Sequence, residues 1–346
     1  MTSDSGREAW PTDPSHTRCL DLALSAESNT AVAFRADLLD LRKAGLMALG
    51  GRVATAGIIH NMTLHGAFDA ETGELRRISW EQSHVMHEAN AASRGECCRD
   101  PMERLAGLVG SKLGEGFRAD LKQHFGGALG CTHVNTLFQE LSATVARLFA
   151  LREDDPALAA ARAPGERIAR RSVYFDAFLP EQGTETELRV RLSDAQYGIA
   201  DETGSESMAH HAEVRVAARV DLTSWELRGL RAEERSRRGP AIDAGTWLDR
   251  SDDVAAFAGH SLGGGMGKRC SEHFAGAPAD ACLLSAMLAL APGMTQVGAG
   301  LSDTLLPPTA ARPERTGAPL GGAGPCYMLR GDGPLLQVIT GAGRDD

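Results

Sequence analysis

The sequence contains no apolar run long enough to cross a membrane and no N-terminal stretch in which basic residues precede an apolar segment. A membrane-spanning helix needs about 20 consecutive apolar residues, and the N-terminal residues, MTSDSGREAWPTDPSH, are polar and interrupted by prolines. Positive charge is also in deficit, because 36 Lys and Arg stand against 46 Asp and Glu, for a formal net charge of -10. We therefore expect a cytoplasmic protein whose main partner is neither a membrane nor a nucleic acid, since both attract clustered basic residues.

Cofactor motifs are absent as well. The chain has no GxxxxGK[ST] phosphate loop and no GxGxxG after a predicted strand, so we expect no nucleotide cofactor. Its seven cysteines are an odd number and include no C-x-x-C pair, which favours reduced thiols, metal ligation or catalysis over a disulfide framework. Any chemistry must then come from His, Cys, Asp and Glu side chains, with or without a bound metal.

Strand patterns precede helix patterns, and this order occurs twice. Alternating apolar residues predict strands in AVAFRADLLDLRK and in RVATAGIIHNMTLHGAFDAETGELRRISWEQ, where Glu-Thr-Gly marks a hairpin turn. Spacing of about 3.6 residues predicts helices between residues 100 and 151. Strand-like segments followed by helix-like segments recur between residues 174 and 295, with PLLQVIT near the C-terminus as a candidate edge strand.

The helical segments of the two parts share nine identities over 32 ungapped positions at a constant offset of 149, including Gly116 with Gly265 and His124 with His273. We interpret the chain as an α+β protein of two tandem, pseudo-twofold related halves, each an antiparallel sheet followed by packed helices. The alternative is that both segments share glycines because both pack tightly. The predicted divisions are a disordered N-terminal arm (1–25), the first half (26–150), a linker (151–173), a diverged second half (174–295) and a Gly/Pro/Ala-rich tail (296–346).

The stretch GHSLGGG matches the G-x-S-x-G signature of a nucleophile elbow, which makes Ser261 a candidate nucleophile. In the alignment of the halves, however, Ser261 falls opposite Lys112, so the first half keeps the glycines without the serine. The only histidine after Ser261 is His273, inside the helix that would follow the elbow, whereas such hydrolases need a histidine that returns to the serine. A serine hydrolase is therefore the less favoured alternative.

Three motifs of the first half carry a family resemblance. They are IIHNMTLHGAFD, a cysteine before LAGLVGSKLGEGF, and FGGALGCTHVNTL. Together they resemble the bacterial domain of unknown function DUF2889, which has a similar His-Asp-Met strand, a lone cysteine and a Gly-Cys-Thr-His-Leu turn. The resemblance covers about residues 30–150, departs from the family at Asn61 and at the adjacent Cys97 and Cys98, and implies a link to aromatic or steroid catabolism without a defined activity.

Cys131 and His133 lie at a predicted helix start just after a glycine-rich turn. Free backbone N–H groups and the helix dipole at such a position favour a thiolate. With His60 on a strand and Cys98 before another helix, they form a candidate ligand set for zinc or iron: His60, Cys98, Cys131 and His133. Two alternatives remain open, a metal-free catalytic site of these side chains and a set of buried packing residues.

We expect a small-molecule catabolic enzyme, either a lyase that cleaves a C–C bond by proton transfer or a hydrolase, acting on an aromatic or steroid-type substrate. His60 or His133 would act as the base, while a metal or the helix start at Cys131 would stabilise the developing anion. The competing interpretation is a non-catalytic metal or iron–sulfur carrier or an accessory binding protein. A pseudo-symmetric chain is also compatible with a homodimer.

Overall fold

The computed structural model describes residues 13–45, 47–49, 52–114, 116–179, 184–199, 207–239, 245–300 and 326–340. Eleven strands lie within these residues, nine of them in one antiparallel sheet and two in a short separate ribbon. The strands are β1 (His16–Ser28), β2 (Ala31–Arg42), β3 (Met47–Leu49), β4 (Arg52–Ala54), β5 (Gly57–Asp69), β6 (Leu75–His84), β7 (Arg167–Phe178), β8 (Glu185–Tyr197), β9 (Met208–Asp221), β10 (Leu227–Arg238) and β11 (Leu248–Asp249).

Six α-helices and several 3₁₀ segments accompany the sheet in the described part of the chain. The helices are α1 (Phe117–Phe125), α2 (Thr132–Asp154), α3 (Ser251–Val254), α4 (Met266–His273), α5 (Ala281–Gly300) and α6 (Pro334–Thr340). The longest 3₁₀ segment is Asp100–Leu108, and a short one at Tyr327–Leu329 precedes α6. None of the described helices combines the length and apolar character that a membrane crossing requires.

The nine-stranded sheet has the order β11-β10-β9-β8-β7-β1-β2-β5-β6. Antiparallel pairing of β1 with β7, with His16 opposite Ala177, joins the strands of the first part of the chain to those of the second. The predicted α+β class with an antiparallel sheet is confirmed. The prediction of a separate sheet in each half is wrong, because the β1–β7 pair makes one continuous sheet.

One face of the sheet forms the core against α2 and α5. Along β1 buried residues alternate with partly exposed ones, and Leu20, Leu22 and Leu24 point into the core. Helix α2 packs against β1, β2 and β7, and α5 packs against β1, β7, β8 and β9. Burial of each such leucine side chain contributes about 1.5–3 kcal/mol to folding, so this layer fixes where the starts of α2 and α5 lie over the sheet.

Three sequence-based boundaries need correction. The arm predicted for residues 1–25 is wrong for residues 16–25, which form most of β1, and the linker predicted for 151–173 is wrong for 167–173, which begin β7. Both strands carry charged residues among their apolar ones, which conceals their alternation. PLLQVIT forms helix α6 with Pro334 at its first position instead of an edge strand, whereas residues 1–12, 301–325 and 341–346 lie outside the described residues.

Helix α5 crosses β7 at Gly293, where any side chain would collide with the buried ring of Phe175. Gly293→Ala is expected to lower the free energy of unfolding by about 1–3 kcal/mol, because overpacking forces the helix or the ring to move. Denaturant titration measures this loss. Gly267→Ala in α4 is the control, since its Cβ would lie 3.6 Å from Arg118 Nη2, an ordinary contact. Equal destabilisation of both variants would contradict the assignment of a tight crossing at Gly293.

Candidate functional site

A fully buried carboxylate, Asp40, lies at the centre of the site. It stands on β2 directly between Arg18 of β1 and His60 of β5, which are its Cα partners on the neighbouring strands. Arg18 donates two hydrogen bonds to it, from Nε to Oδ1 at 2.7 Å and from Nη2 to Oδ2 at 3.0 Å. Asp40 has no exposed surface and Arg18 is 2% exposed, so the ion pair is held within the core.

Two histidines approach the same oxygen of this carboxylate. The Nδ1 atom of His60 lies 3.2 Å and the Nε2 atom of His133 lies 3.0 Å from Asp40 Oδ2. The two imidazole rings are 3.8 Å apart between centroids and inclined by 37°. Arg18, Asp40, His60 and His133 are named the Asp40 cluster below. A further histidine, His16, has its Nε2 3.5 Å from Asp40 Oδ1.

The charges in the Asp40 cluster follow from burial and from the arginine. Burial raises the pKa of Asp40, but the charge of Arg18 and the hydrogen bonds from the histidines outweigh it and hold that pKa well below the ordinary value. Burial lowers the pKa of His60 and lowers that of His133 to about 3, in each case against the attraction of Asp40. Both imidazoles are therefore neutral at pH 7, and each donates an N–H to Asp40 in the absence of a metal. Transfer of that proton to the other ring nitrogen would free the nitrogen that faces Asp40 as a metal ligand.

The GCTH turn positions Cys131 and His133 at the start of α2. Gly130 is required there, because a Cβ on it would collide with the backbone of Phe125. Cys131 is the N-cap residue, and its Sγ lies 3.6 Å from Nδ1 of His133. Burial raises the pKa of this thiol to about 12, although the backbone N–H groups of Val134 and His133 lower it. Burial therefore favours the neutral thiol over the thiolate expected at this helix start.

A cavity of about 80 Å³ adjoins the Asp40 cluster. All four predicted ligand residues line it: His60 from β5, Cys98 from the segment before the 3₁₀ helix, and Cys131 and His133 from the start of α2. Gln296 lines it from α5, with Nε2 2.9 Å from Nε2 of His133. The other lining residues are Arg18, Met86, His87, Pro101, Gly130, Thr132, Pro292, Thr295, Cys326, Tyr327, Met328 and Leu329.

The close group of potential ligand atoms differs from the predicted set. Asp40, His60 and His133 offer ligand atoms that all lie within 4.8 Å of one another, and this trio could hold a metal ion. Cys131 faces the far nitrogen of His133, and Cys98 lies on the cavity wall. His84 ends β6, and His87 lies in the loop that follows, with its imidazole buried at the cavity.

Ser261 lies apart from the Asp40 cluster. It forms an isolated bridge with Glu226, its hydroxyl donates to Ser224 O at 2.9 Å, and it accepts the Gly263 N–H at 3.1 Å. His273 instead has Nε2 2.9 Å from the backbone oxygen of Asp253. The glycine-rich turn therefore leads into α4, and the hydroxyl of Ser261 forms hydrogen bonds with backbone groups of Ser224 and Gly263.

Sequence reasoning missed Asp40 and Arg18. A usable signal existed, because Asp40 shares the buried parity of Leu38 along β2 and Arg18 shares that of Leu20 along β1. A charged residue at a buried strand position requires a partner, and two such residues of opposite sign on consecutive strands indicate a buried pair. The position of Cys326 at the cavity could not be predicted in this way, because it depends on how a distant segment packs in the tertiary fold.

Comparison with known proteins finds a family model that matches the first part of the chain. Residues 16–147 match the model of the family described as Protein of unknown function (DUF2889). No curated protein and no solved structure matches the chain. The matched region begins with β1 and ends within α2, so it contains every member of the Asp40 cluster together with Cys98 and Cys131. The match shows the resemblance to DUF2889 that the motifs predict, over residues 16–147.

Proposed function

We propose that the chain is a metal-dependent enzyme that binds a small molecule in the cavity and uses Asp40, His60 and His133 as ligands of zinc or iron(II). The observation that carries this proposal is the approach of two neutral imidazole nitrogens to one carboxylate oxygen, at 3.0 and 3.2 Å. Two histidines and one carboxylate form a ligand set typical of catalytic zinc and of non-haem iron(II).

The distances between the ligand atoms support a metal. With metal–ligand bonds of about 2.0–2.1 Å, two ligands at right angles or at a tetrahedral angle lie about 2.9–3.4 Å apart. The separations of His133 Nε2 and His60 Nδ1 from Asp40 Oδ2, 3.0 and 3.2 Å, fall within this range. A small displacement of the side chains would therefore suffice to admit an ion.

The surroundings favour a catalytic centre over a structural one. Structural zinc sites use four protein ligands, whereas catalytic sites use three and leave a position open. Here three ligands adjoin a cavity, and a bound metal would polarise an oxygen of the molecule held there. Arg18 fixes the orientation of Asp40, and Cys131 faces Nδ1 of His133, which leaves Nε2 directed at the centre. We propose a lyase or hydrolase on this basis, in preference to a metal carrier.

A second candidate mechanism is nucleophilic attack by Cys131. Its Sγ lies 3.6 Å from Nδ1 of His133, and Nε2 of the same imidazole lies 3.0 Å from Asp40 Oδ2. The three side chains thus have the order of a nucleophile, a base and an orienting carboxylate. The pKa of about 12 weighs against it, because a buried neutral thiol is a poor nucleophile. Alkylation of the intact protein by iodoacetamide at pH 7 tests this mechanism, which requires Cys131 to react first.

We further infer that the two halves are copies of one another. Gly110 N donates to Leu75 O and Gly259 N donates to Leu227 O, both at 2.8 Å, so the glycine-rich turns join equivalent strands in the same way. A glycine in the left-handed region precedes both α1 and α4. The strand order is also symmetric about the central β1–β7 pair if the two-residue strand β11 is set aside. These features support the duplication that the sequence alignment predicts.

The inferred symmetry assigns a counterpart to each member of the Asp40 cluster. Arg171 on β7 is the Cα partner of Asp194 on β8, as Arg18 on β1 is the partner of Asp40 on β2. On the other side of Asp194 the partner is Ala212, at the position that His60 has beside Asp40. Cys282, the second residue of α5, replaces His133, the second residue of α2. Arg147 donates to Asp194 at 2.8 Å, and Glu140 lies 3.2 Å from Arg171. Arg147, Glu140, Arg171 and Asp194, named the Asp194 cluster, neutralise one another without histidines.

The metal proposal predicts different outcomes for equivalent substitutions in the two halves. His133→Ala is expected to weaken binding of zinc or iron(II) by at least about 10–100-fold, the loss caused by removing even a supporting residue of a metal ligand. Cys282→Ala should retain wild-type affinity because it lies outside the Asp40 cluster. Elemental analysis of the purified proteins and competition with a chelator measure both effects. Wild-type protein without stoichiometric metal after reconstitution would overturn the proposal.

The carboxylates provide a second matched pair. Asp40→Asn is expected to abolish stoichiometric metal binding, whereas Asp194→Asn should keep the metal and lower the free energy of unfolding by about 3–5 kcal/mol, because it leaves buried arginines uncompensated. Metal analysis and chemical denaturation of both variants separate the two roles. Loss of metal in both variants to the same extent would indicate a general effect on folding.

The environment of Ser261 predicts that its hydroxyl takes no part in catalysis. Ser261→Ala should retain metal content and any measured turnover, since the hydroxyl bonds only local backbone groups. A fluorophosphonate probe, which labels activated serines, should leave Ser261 unmodified when the protein is analysed by peptide mass spectrometry. Stoichiometric labelling at this position would restore the serine hydrolase.

A further inference from the structure

One donor of Arg18 has no partner in the described part of the protein. The Nε and Nη2 atoms bind Asp40, while the buried Nη1 atom makes no hydrogen bond there. Several other buried polar atoms share this condition, but Arg18 alone among their residues also lines the cavity. An unpaired donor on a charged, buried group is costly, so a molecule in the cavity is the natural source of an acceptor.

The charge of the cavity wall indicates what kind of acceptor fits. Among the described lining residues there is no Asp or Glu, and Asp40 lies behind Arg18 and the histidines. A bound divalent ion together with Arg18 would exceed the single negative charge of Asp40, so the site as a whole would be positive.

The rest of the wall is largely apolar. The apolar side chains that line it are those of Met86, Pro101, Pro292, Met328 and Leu329, and Tyr327 lines it as well. Such surfaces bind hydrocarbon and leave only a few polar groups to orient the bound molecule. The ligand that matches both features has one anionic end and an apolar body.

We propose that the cavity binds a small organic carboxylate, with one carboxylate oxygen accepting a hydrogen bond from Nη1 of Arg18. This inference rests on the proposed function for the position of the substrate, and it names the class to which that substrate belongs. Arg18 would then have two roles, holding Asp40 through Nε and Nη2 and the substrate through Nη1. Arginine suits this purpose because its donors are fixed in one plane.

Binding of benzoate, measured by isothermal titration calorimetry on the metal-loaded full-length protein, tests the proposal. We expect benzoate to bind at least about 10-fold more tightly than its neutral isostere benzamide. Arg18→Lys, kept saturated with metal during the titration, is expected to weaken benzoate binding by at least about 10-fold. Arg171→Lys is the matched control, because it removes the equivalent buried guanidinium of the Asp194 cluster and should leave benzoate affinity unchanged.

A second pair of variants avoids any dependence on the folding of Arg18→Lys. Leu329 is half-buried on the cavity wall, so Leu329→Glu adds a negative charge there and Leu329→Gln adds the same shape without charge. Benzoate should bind several-fold more weakly to the Glu variant than to the Gln variant. Equal affinities for benzoate and benzamide, or for the two Leu329 variants, would overturn the carboxylate proposal. Missing metal with intact benzoate binding would overturn only the metal-dependent function.

Discussion

The buried ion pair between Arg18 and Asp40 is the interaction on which the site depends. A carboxylate without exposed surface is tolerated in a core only when a cation and hydrogen bonds replace the lost water. Direct pairing of β1 with β2 places Arg18 opposite Asp40, and pairing of β2 with β5 places His60 on the other side. The sheet register therefore assembles three members of the Asp40 cluster, and α2 adds His133 from above.

The Asp194 cluster shows what the same pair becomes in different surroundings. Asp194 receives Arg171 and Arg147, and Arg171 in turn lies near Glu140, so two cations and two carboxylates neutralise one another. Asp40 has one arginine, and its remaining neighbours are neutral imidazoles. A neutral imidazole can become a metal ligand by moving its proton to the other ring nitrogen, whereas the arginines of the Asp194 cluster have no acceptor atom and cannot ligate a metal. This contrast supports chemistry at Asp40 and a structural role at Asp194.

Sequence patterns predicted the elements where alternation was clear and failed where charge was buried. Strands β2, β5 and β6 and helix α2 follow from apolar spacing, and the position of GCTH at a helix start follows from its glycines. Strand β1 was assigned to a disordered arm because its buried face includes Arg18. Asp40 was missed for the same reason, because its charge conceals the buried position that it shares with Leu38 along β2. Its pairing with Arg18 follows only once β1 is recognised as a strand. Cys326 follows a long glycine-rich segment, and its contact with the cavity depends on tertiary packing alone.

Two opposing effects act on the pKa of the Cys131 thiol at the start of α2, namely burial and the helix N-terminus. A helix N-terminus stabilises a negative charge by about 0.3–1 kcal/mol, and by up to about 2 kcal/mol in partly buried geometries. The rise in the pKa of Cys131 from 9.0 to about 12 corresponds to about 4 kcal/mol in favour of the neutral thiol. Desolvation therefore outweighs the helix, and Cys131 serves best as a neutral neighbour that orients His133. The other nitrogen of that imidazole, Nε2, lies 3.0 Å from Asp40 Oδ2 and is the atom that the metal proposal uses.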